Sequence, residues 1–179
     1  MVDRFCINIL PKIHHNVKSL ILDSVSMGHI LLAADYPNLI ELKLFNFNGK
    51  IVSRCFTDES SYRRILQRQI TDLIIVFERD FNDISVKDYT TDVYGYILKF
   101  FENLKHLSII GSYIQYYPPL VLRNLPLTTF FSSTLNKLCI RVRSFEDCLA
   151  LLDNRLKKLT TLIVYIIKME YDSSNVYNI

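Results

Sequence analysis

Six copies of one short apolar pattern constrain the fold of this chain more than any other feature of its sequence. Each copy has apolar residues at its positions 1, 4 and 6, and the copies begin at Val17, Leu39, Ile70, Leu104, Leu135 and Leu159. Positions 4 and 6 are two residues apart, so both side chains face the same side of a β-strand. Position 1 belongs to a turn that leads into the strand. The pattern therefore predicts six strands that each bury one face.

The segments between the copies have the apolar spacing of helices that would cover this buried face. The predicted helices span residues 27–36, 60–68, 88–102 and 145–156. Ser26 is a candidate N-cap for the first helix, and Ser144 with Asp147 forms a capping-box-like pair at the last. Residues 113–133 contain three prolines and are predicted to be a loop. Strand and helix therefore alternate along the chain.

The spacing of the copies favours a repeat architecture over a doubly wound sheet. Consecutive copies begin 22, 31, 34, 31 and 24 residues apart. A parallel crossover unit needs about 30 residues or more, so the two shortest intervals argue against a doubly wound α/β sheet, which remains the alternative. We predict an α/β fold, a right-handed β–α solenoid of about six irregular units with a parallel sheet. It forms a single domain over 1–179, with a lead-in at 1–16 and a frayed tail at 171–179.

Four stretches of the sequence resemble the repeat region of F-box/leucine-rich-repeat proteins. They are HHNVKSLILDSV, YPNLIELKLFNF, FFENLKHLSIIGS and LTTFFSSTLNKLCIRV, and the resemblance covers roughly residues 5 to 168. It implies a leucine-rich-repeat-like solenoid that binds other proteins. In that family the repeats recruit substrates to an SCF-type ubiquitin ligase.

The sequence departs from the family pattern in two ways. The Asn or Cys that usually follows the last apolar position by three residues is missing from every copy, so an asparagine ladder cannot stabilise these turns. The Leu-Pro-x-Glu-like opening of an F-box is also missing, because Leu10-Pro11 is followed by Lys12-Ile13-His14. The resemblance then implies the substrate-facing half of such a protein, and we expect no binding to the ligase adaptor.

Positions 3, 5 and 7 of the six copies point away from the buried side, and we call the surface that they form the strand face. Stacked strand–helix units curve with their strands on the inner side, where partners bind. The side chains predicted to contact a protein there are Glu41, Lys43, Phe45, Asp72, Ile74, His106, Ser108, Lys137, Arg141 and Tyr165. The mixture of charged, aliphatic and aromatic groups is typical of binding patches. A second candidate contact surface is the loop that contains Tyr113, Tyr116 and Tyr117.

Composition excludes several classes of function. Half of the residues are hydrophobic and 22% are charged, which is typical of a folded chain. The net charge of +3 is too small to indicate a dedicated binder of nucleic acid or of membrane surfaces. The N-terminus lacks the features of a signal peptide, no apolar run is long enough for a membrane span, and no Asn-x-Ser/Thr sequon occurs. We therefore expect a cytoplasmic or nuclear protein without membrane or nucleic-acid partners.

A few sets of reactive side chains were candidates for chemistry. They are His14 with His15, the carboxylates Asp80, Asp83, Asp88 and Asp92, Cys139 with His106, and the arginines Arg63, Arg64, Arg68, Arg141 and Arg143. Each set is better explained as ordinary structure, namely a solvated turn, the start of a helix or the surface of a sheet, than as a reactive site. The four cysteines have no metal-binding spacing, and the four glycines form no phosphate-binding loop. We predict no catalytic, cofactor-binding or metal-binding residue and no enzymatic activity.

The leading functional hypothesis is a protein–protein interaction module, with substrate recognition for a ubiquitin ligase as its most specific form. A structural repeat segment without independent function is the first alternative, and it predicts exposed apolar surface at the first or last unit. An α/β enzyme is the second alternative, and it predicts polar residues that converge at the carboxyl ends of the strands. Nucleic-acid binding through the arginines is the third, and it predicts a steep salt dependence.

Overall fold

The computed structural model describes residues 2–47, 49–56, 60–61, 63–77, 86–111 and 118–168. Its strands are β1 (Ser19–Asp23), β2 (Glu41–Phe47), β3 (Asp72–Phe77), β4 (His106–Gly111), β5 (Lys137–Ser144) and β6 (Thr161–Lys168). They form one six-stranded sheet in the order β1-β2-β3-β4-β5-β6, and every neighbouring pair is parallel. The prediction of an α/β fold with six parallel strands is confirmed, and the strand order contains no reversal point such as a doubly wound sheet has.

The register of the sheet follows the six apolar patterns residue by residue. The position-4 leucines, which are Leu20, Leu42, Leu73, Leu107, Leu138 and Leu162, are aligned across all six strands. In the four central copies the side chains at positions 1, 4 and 6 are almost fully buried. They lie in one apolar core together with side chains of the helices. The repeated pattern therefore determines both which face is buried and how neighbouring strands align.

The helices form the other layer. Three of the four predicted helices are shorter than expected, and the one predicted at 88–102 is helical over 86–100. The described helices are α1 (Val2–Asn8), α2 (Leu10–Ile13), α3 (Met27–Leu32), α4 (Gly49–Cys55), α5 (Arg63–Leu66), α6 (Val86–Tyr89), α7 (Gly95–Phe100) and α8 (Phe145–Leu151). A π-helical turn, Thr90–Tyr94, joins α6 to α7, and a 3-10 turn, His14–Asn16, follows α2. The lead-in at 1–16 is thus helical over its described part. The helices α1, α2 and α4 were not predicted, because each is too short to show a helical period.

The two predicted helix caps differ in outcome. At α8 the Ser144 hydroxyl accepts a hydrogen bond from the Asp147 backbone N–H, and the Asp147 carboxylate accepts one from the Ser144 N–H, so the capping box is confirmed. The prediction that Ser26 caps α3 is wrong. Its hydroxyl instead donates to the Asp23 carbonyl oxygen, since the preceding turn brings that acceptor within 3.2 Å.

Aromatic rings fill the core beyond the carboxyl ends of β2 and β3. Phe47, Phe56, Phe77, Tyr89, Tyr94, Phe100 and Phe101 form one connected cluster with ring centroids 5.0 to 6.3 Å apart. Phe47 occupies a position where the resemblance leads one to expect Asn or Cys. Ring packing between β2, β3 and the helices therefore stabilises this end of the sheet.

A series of shared carbonyls connects the units at the opposite end of the sheet. The carbonyl oxygen of the residue before one strand accepts two backbone N–H groups from the start of the next strand. The accepting residues are Lys18, Ile40, Thr71, Lys105 and Asn136, at N···O distances of 2.7 to 3.1 Å. Consecutive units are therefore joined in the same way from β1 to β6.

Polar side chains just before position 1 add a second connection between units. The donors Asn38, Gln69, Asn103 and Thr134 each reach a backbone carbonyl oxygen of the preceding unit, at 2.5 to 2.8 Å. The sequence lacks the asparagine ladder of the family that it resembles. A mixed series of polar side chains at the other end of the strands connects the described units instead. The structure explains why the residue before the apolar pattern is often polar.

Asn103→Ala tests this series. The variant loses the 2.8 Å bond from Asn103 Nδ2 to the Arg68 carbonyl oxygen, and we expect the free energy of unfolding to fall by about 1 kcal/mol. Lys158→Ala is the matched control, because Lys158 holds the equivalent place in the last unit and is exposed. Urea denaturation of both variants measures the difference, and an equal loss would contradict the role of Asn103.

Two buried charged side chains hold the irregular residues 118–135 against the repeat. Asp147 accepts hydrogen bonds from the Leu122 and Arg123 backbone N–H groups at 2.7 and 3.0 Å. The Arg155 guanidinium donates to three backbone carbonyls of residues 125–129. Burial lowers the pKa of Arg155, and Asp153 opposes this effect. The predicted loop is thus ordered over its described part by two side chains of the fifth unit, which begins at Leu135.

Candidate functional site

The strand face is far more exposed than the opposite side of the same strands. All of its side chains are half-buried or exposed except Val76, which is 8% exposed. The most accessible apolar members are Ile21 and Tyr165, at 65% and 57% exposure. None of the described helices covers this face. A six-stranded parallel sheet therefore presents a broad mixed surface to solvent.

The parallel register arranges this face in rows that run across the strands. The first row consists of Ser19, Glu41, Asp72, His106, Lys137 and Thr161, and the second of Ile21, Lys43, Ile74, Ser108, Cys139 and Ile163. Farther along, Arg141 is aligned with Tyr165. The ten strand residues predicted to bind a protein thus lie on one continuous surface.

Two pairs of side chains on the strand face contact each other, one pair within the first row and one pair along β2. The Nδ1 atom of His106 hydrogen bonds with Oδ1 of Asp72, and the Thr71 hydroxyl donates to Oδ2 of Asp72 at 2.6 Å. The Lys43 ammonium lies 4.9 Å from the centroid of the Phe45 ring, a cation–π distance. These contacts fix the directions of a carboxylate and an ammonium group on an accessible surface.

The register changes near the end of β2 and shapes one edge of the face. Pairing between β2 and β3 shifts between Leu44 and Phe47, and Asn46 has a φ of 51°. The extra residue lets Phe45 remain on the strand face while Phe47 enters the core. The Asn46 amide donates to the Asp23 carboxylate, so this bulge links β2 to the end of β1.

Sequence reasoning missed two further members of this surface. Arg143 and Ile167 are at position 9 of their copies and are exposed, so they extend the strand face along β5 and β6. Continuing the two-residue alternation past position 7 would have found both. The predicted aromatic surface of Tyr113, Tyr116 and Tyr117 lies outside the described residues.

Cys139 and His106, one candidate pair for chemistry, lie on neighbouring strands but in different rows. Across the described part of the chain, no three His, Cys, Asp or Glu side chains are grouped as metal ligands. Cys139 is aligned with Ser108, while His106 is aligned with Lys137 and bonded to Asp72. Arg63 hydrogen bonds to Gln67, and Arg68 forms an exposed ion pair with Glu102 at 3.1 Å. The strand arrangement gives Cys139 and His106 no direct pairing.

Burial is expected to slow the reaction of Cys139 with electrophiles. It raises the pKa of the thiol, and Lys137 opposes that effect only partly. A raised pKa means less thiolate at pH 7.5, so we expect slower alkylation by iodoacetamide than for a free cysteine peptide, with the rate rising towards alkaline pH. Mass spectrometry of the Cys139 peptide over a pH series measures this. If the alkylation rate of Cys139 rose at a lower pH than that of the free peptide, the expectation would be contradicted.

Several clefts lie among the helices. One, of about 430 Å³, lies between α7 and residues 128–134, and another, of about 630 Å³, lies between α3 and α4. Neither is lined by the strand face. These two clefts therefore do not contain the side chains predicted to bind a protein.

No protein-family model, no curated protein and no solved structure matches this chain. Within the described residues, none of the helices combines the length and the apolar content that a membrane crossing requires.

Proposed function

We propose that this chain is a leucine-rich-repeat-like, right-handed solenoid that binds another protein through its strand face and does not act as an enzyme. The observation that carries the proposal is that the strand face of a parallel sheet is largely accessible to solvent. Parallel sheets ordinarily have both faces covered. Here one face is buried against helices, while the other exposes Ile21, Ile163 and Tyr165 beside charged groups. Apolar side chains within a polar surround are typical of protein-binding surfaces.

Site-specific photo-crosslinking tests the proposal. A photoreactive amino acid replaces Ser108 at the centre of the strand face or, as a control, the exposed Lys99 on α7. We expect a defined protein adduct in cells from position 108 only, and expect Ile74→Glu to abolish it while the fold is unchanged by circular dichroism. Equal adducts from both positions, or none from position 108, would count against binding through this face.

The resemblance to F-box/leucine-rich-repeat proteins supports a more specific form of the same proposal, in which the bound protein is a ubiquitination substrate. The chain fused behind an F-box hairpin would then direct a reconstituted SCF-type ligase to the crosslinked partner. Ubiquitination that depends on Ile74 supports this form. A partner that binds the fusion and stays unmodified would argue against it.

One observation favours the alternative role as a structural segment of a larger assembly. In β6 the inward side chains Leu162, Val164 and Ile166 are only half-buried, and the outward Ile163 and Ile167 are exposed. An edge strand with two apolar faces pairs readily with another chain. This role predicts concentration-dependent self-association in sedimentation velocity, which Ile163→Lys would suppress. A wild-type chain that stays monomeric at high concentration would remove the alternative.

A further inference from the structure

Charge on the strand face is divided between its two halves. All of its carboxylates belong to the first three strands, and they are Asp23, Glu41 and Asp72. The outward side chains of β5 include Lys137, Arg141 and Arg143, and the described outward positions of β4, β5 and β6 carry no carboxylate. The one base in the acidic half, Lys43, lies over the Phe45 ring. The face therefore has an acidic side and a basic side.

Between the two sides, the first row holds Asp72 and His106, and the apolar groups lie farther along the strands. Ile74 of β3 and Ile110 of β4 are half-buried, outward-facing side chains with the small Ser108 beside them. Adjacent strands are about 4.8 Å apart, so the Glu41 and Lys137 positions, three strands apart, are separated by about 14 Å. An extended chain advances about 3.3 Å per residue, so it covers this distance in about four residues.

On the basis of the proposed function, we infer that the partner presents an extended segment lying across the strands, with basic side chains over β2 and β3 and acidic side chains over β5. Its opposite charges stand about four residues apart, with apolar residues between them that contact Ile74. Glu41 and Asp72 attract the basic end, and Lys137 and Arg141 attract the acidic end. Complementary charges of this kind fix the direction of a bound segment and reject other partners.

The same division of charge disfavours the binding of a polyanion to the strand face. A nucleic acid lying across the sheet would place phosphates near Lys137 and also, within about 14 Å, near Asp72 and Glu41. The carboxylates repel the backbone that the lysine attracts. A uniformly acidic peptide meets the same repulsion, and a uniformly basic one is repelled over β5.

Two peptides of identical composition test the inference by fluorescence anisotropy. In the segregated peptide, two lysines are followed after three residues by two glutamates, with leucines between them. In the alternating peptide, the same lysines and glutamates alternate. We expect the wild-type chain to bind the segregated peptide about tenfold more tightly than the alternating one, and the difference to shrink at 1 M salt. Equal affinities, or no binding at millimolar peptide, would overturn the inference.

Charge reversal provides the second test. We expect Lys137→Glu with Arg141→Glu to weaken binding of the segregated peptide about tenfold and to strengthen binding of an all-lysine analogue. A variant that failed to fold could not bind the all-lysine analogue more tightly than the wild-type chain does. Lys12→Glu with Lys99→Glu makes the same change in net charge at exposed positions in the helices α2 and α7, and should leave both affinities unchanged. If the reversal has no effect while photo-crosslinking at position 108 succeeds, the charge model is wrong and the proposed function stands.

Discussion

Phe56→Ala is expected to lower the free energy of unfolding by about 3–5 kcal/mol, the largest effect that we expect from a single substitution. Phe56 is 1% exposed, and its ring contacts Phe47, Phe100 and Phe101 at centroid distances of 5.0 to 5.5 Å. It therefore joins the end of β2 to α7 and the residue after it. Removing the ring leaves a cavity that the surrounding rings can fill only in part. Thermal and urea denaturation measure the loss.

Phe145→Ala is the matched control for this prediction. Phe145 begins α8 and is 59% exposed, so the variant removes the same atoms from a site where little apolar surface is buried. We expect it to change the free energy of unfolding by less than about 1 kcal/mol. Similar losses in both variants would mean that the aromatic cluster does not stabilise the core as described.

Asp147→Ala is expected to cost about 3 kcal/mol of unfolding free energy, because the carboxylate serves two segments of the chain at once. It completes the capping box of α8 and also accepts the backbone N–H groups of Leu122 and Arg123. The variant leaves the buried Leu122 N–H and the part-buried Ser144 N–H without this acceptor. Hydrogen exchange followed by mass spectrometry should also show faster exchange at Leu122 and Arg123.

Glu146→Ala separates this effect from a general change of charge in the first turn of α8. Glu146 is the neighbouring residue, and its ion pair with Arg123, at 3.2 Å, is exposed. Exposed pairs contribute little, so we expect a change below about 1 kcal/mol. If Asp147→Ala proves as mild as this control, the buried carboxylate is not the link between α8 and residues 118–125.

Much of the sheet could be predicted from the sequence because one physical rule repeats along it. Leu42, Leu73 and Leu107 are buried and aligned as the 1-4-6 pattern predicts, and the outward residues between them follow from strand alternation. The same alternation located the ten described residues of the candidate binding surface. Their role in binding is still a prediction.

Other features could not be predicted because they depend on contacts distant in sequence. The bulge at Asn46 depends on the match between β2 and β3, and nothing local requires it. Asp147 was identified as a capping residue, but its bonds to Leu122 and Arg123 join residues about 25 positions away. The division of charge on the strand face becomes visible only when strands from different parts of the sequence lie side by side.

The shared carbonyls before the strands have a consequence for how the molecule comes apart. Each strand depends on its immediate neighbours for these bonds, and none of the six described strands pairs with one farther away. Opening can therefore begin at β6, whose inward side chains are only half-buried, and proceed inward while the central strands remain folded. Protection of backbone amides from hydrogen exchange should then rise from the terminal unit to a plateau at β3 and β4. The amides of the last unit should exchange fastest in the native state.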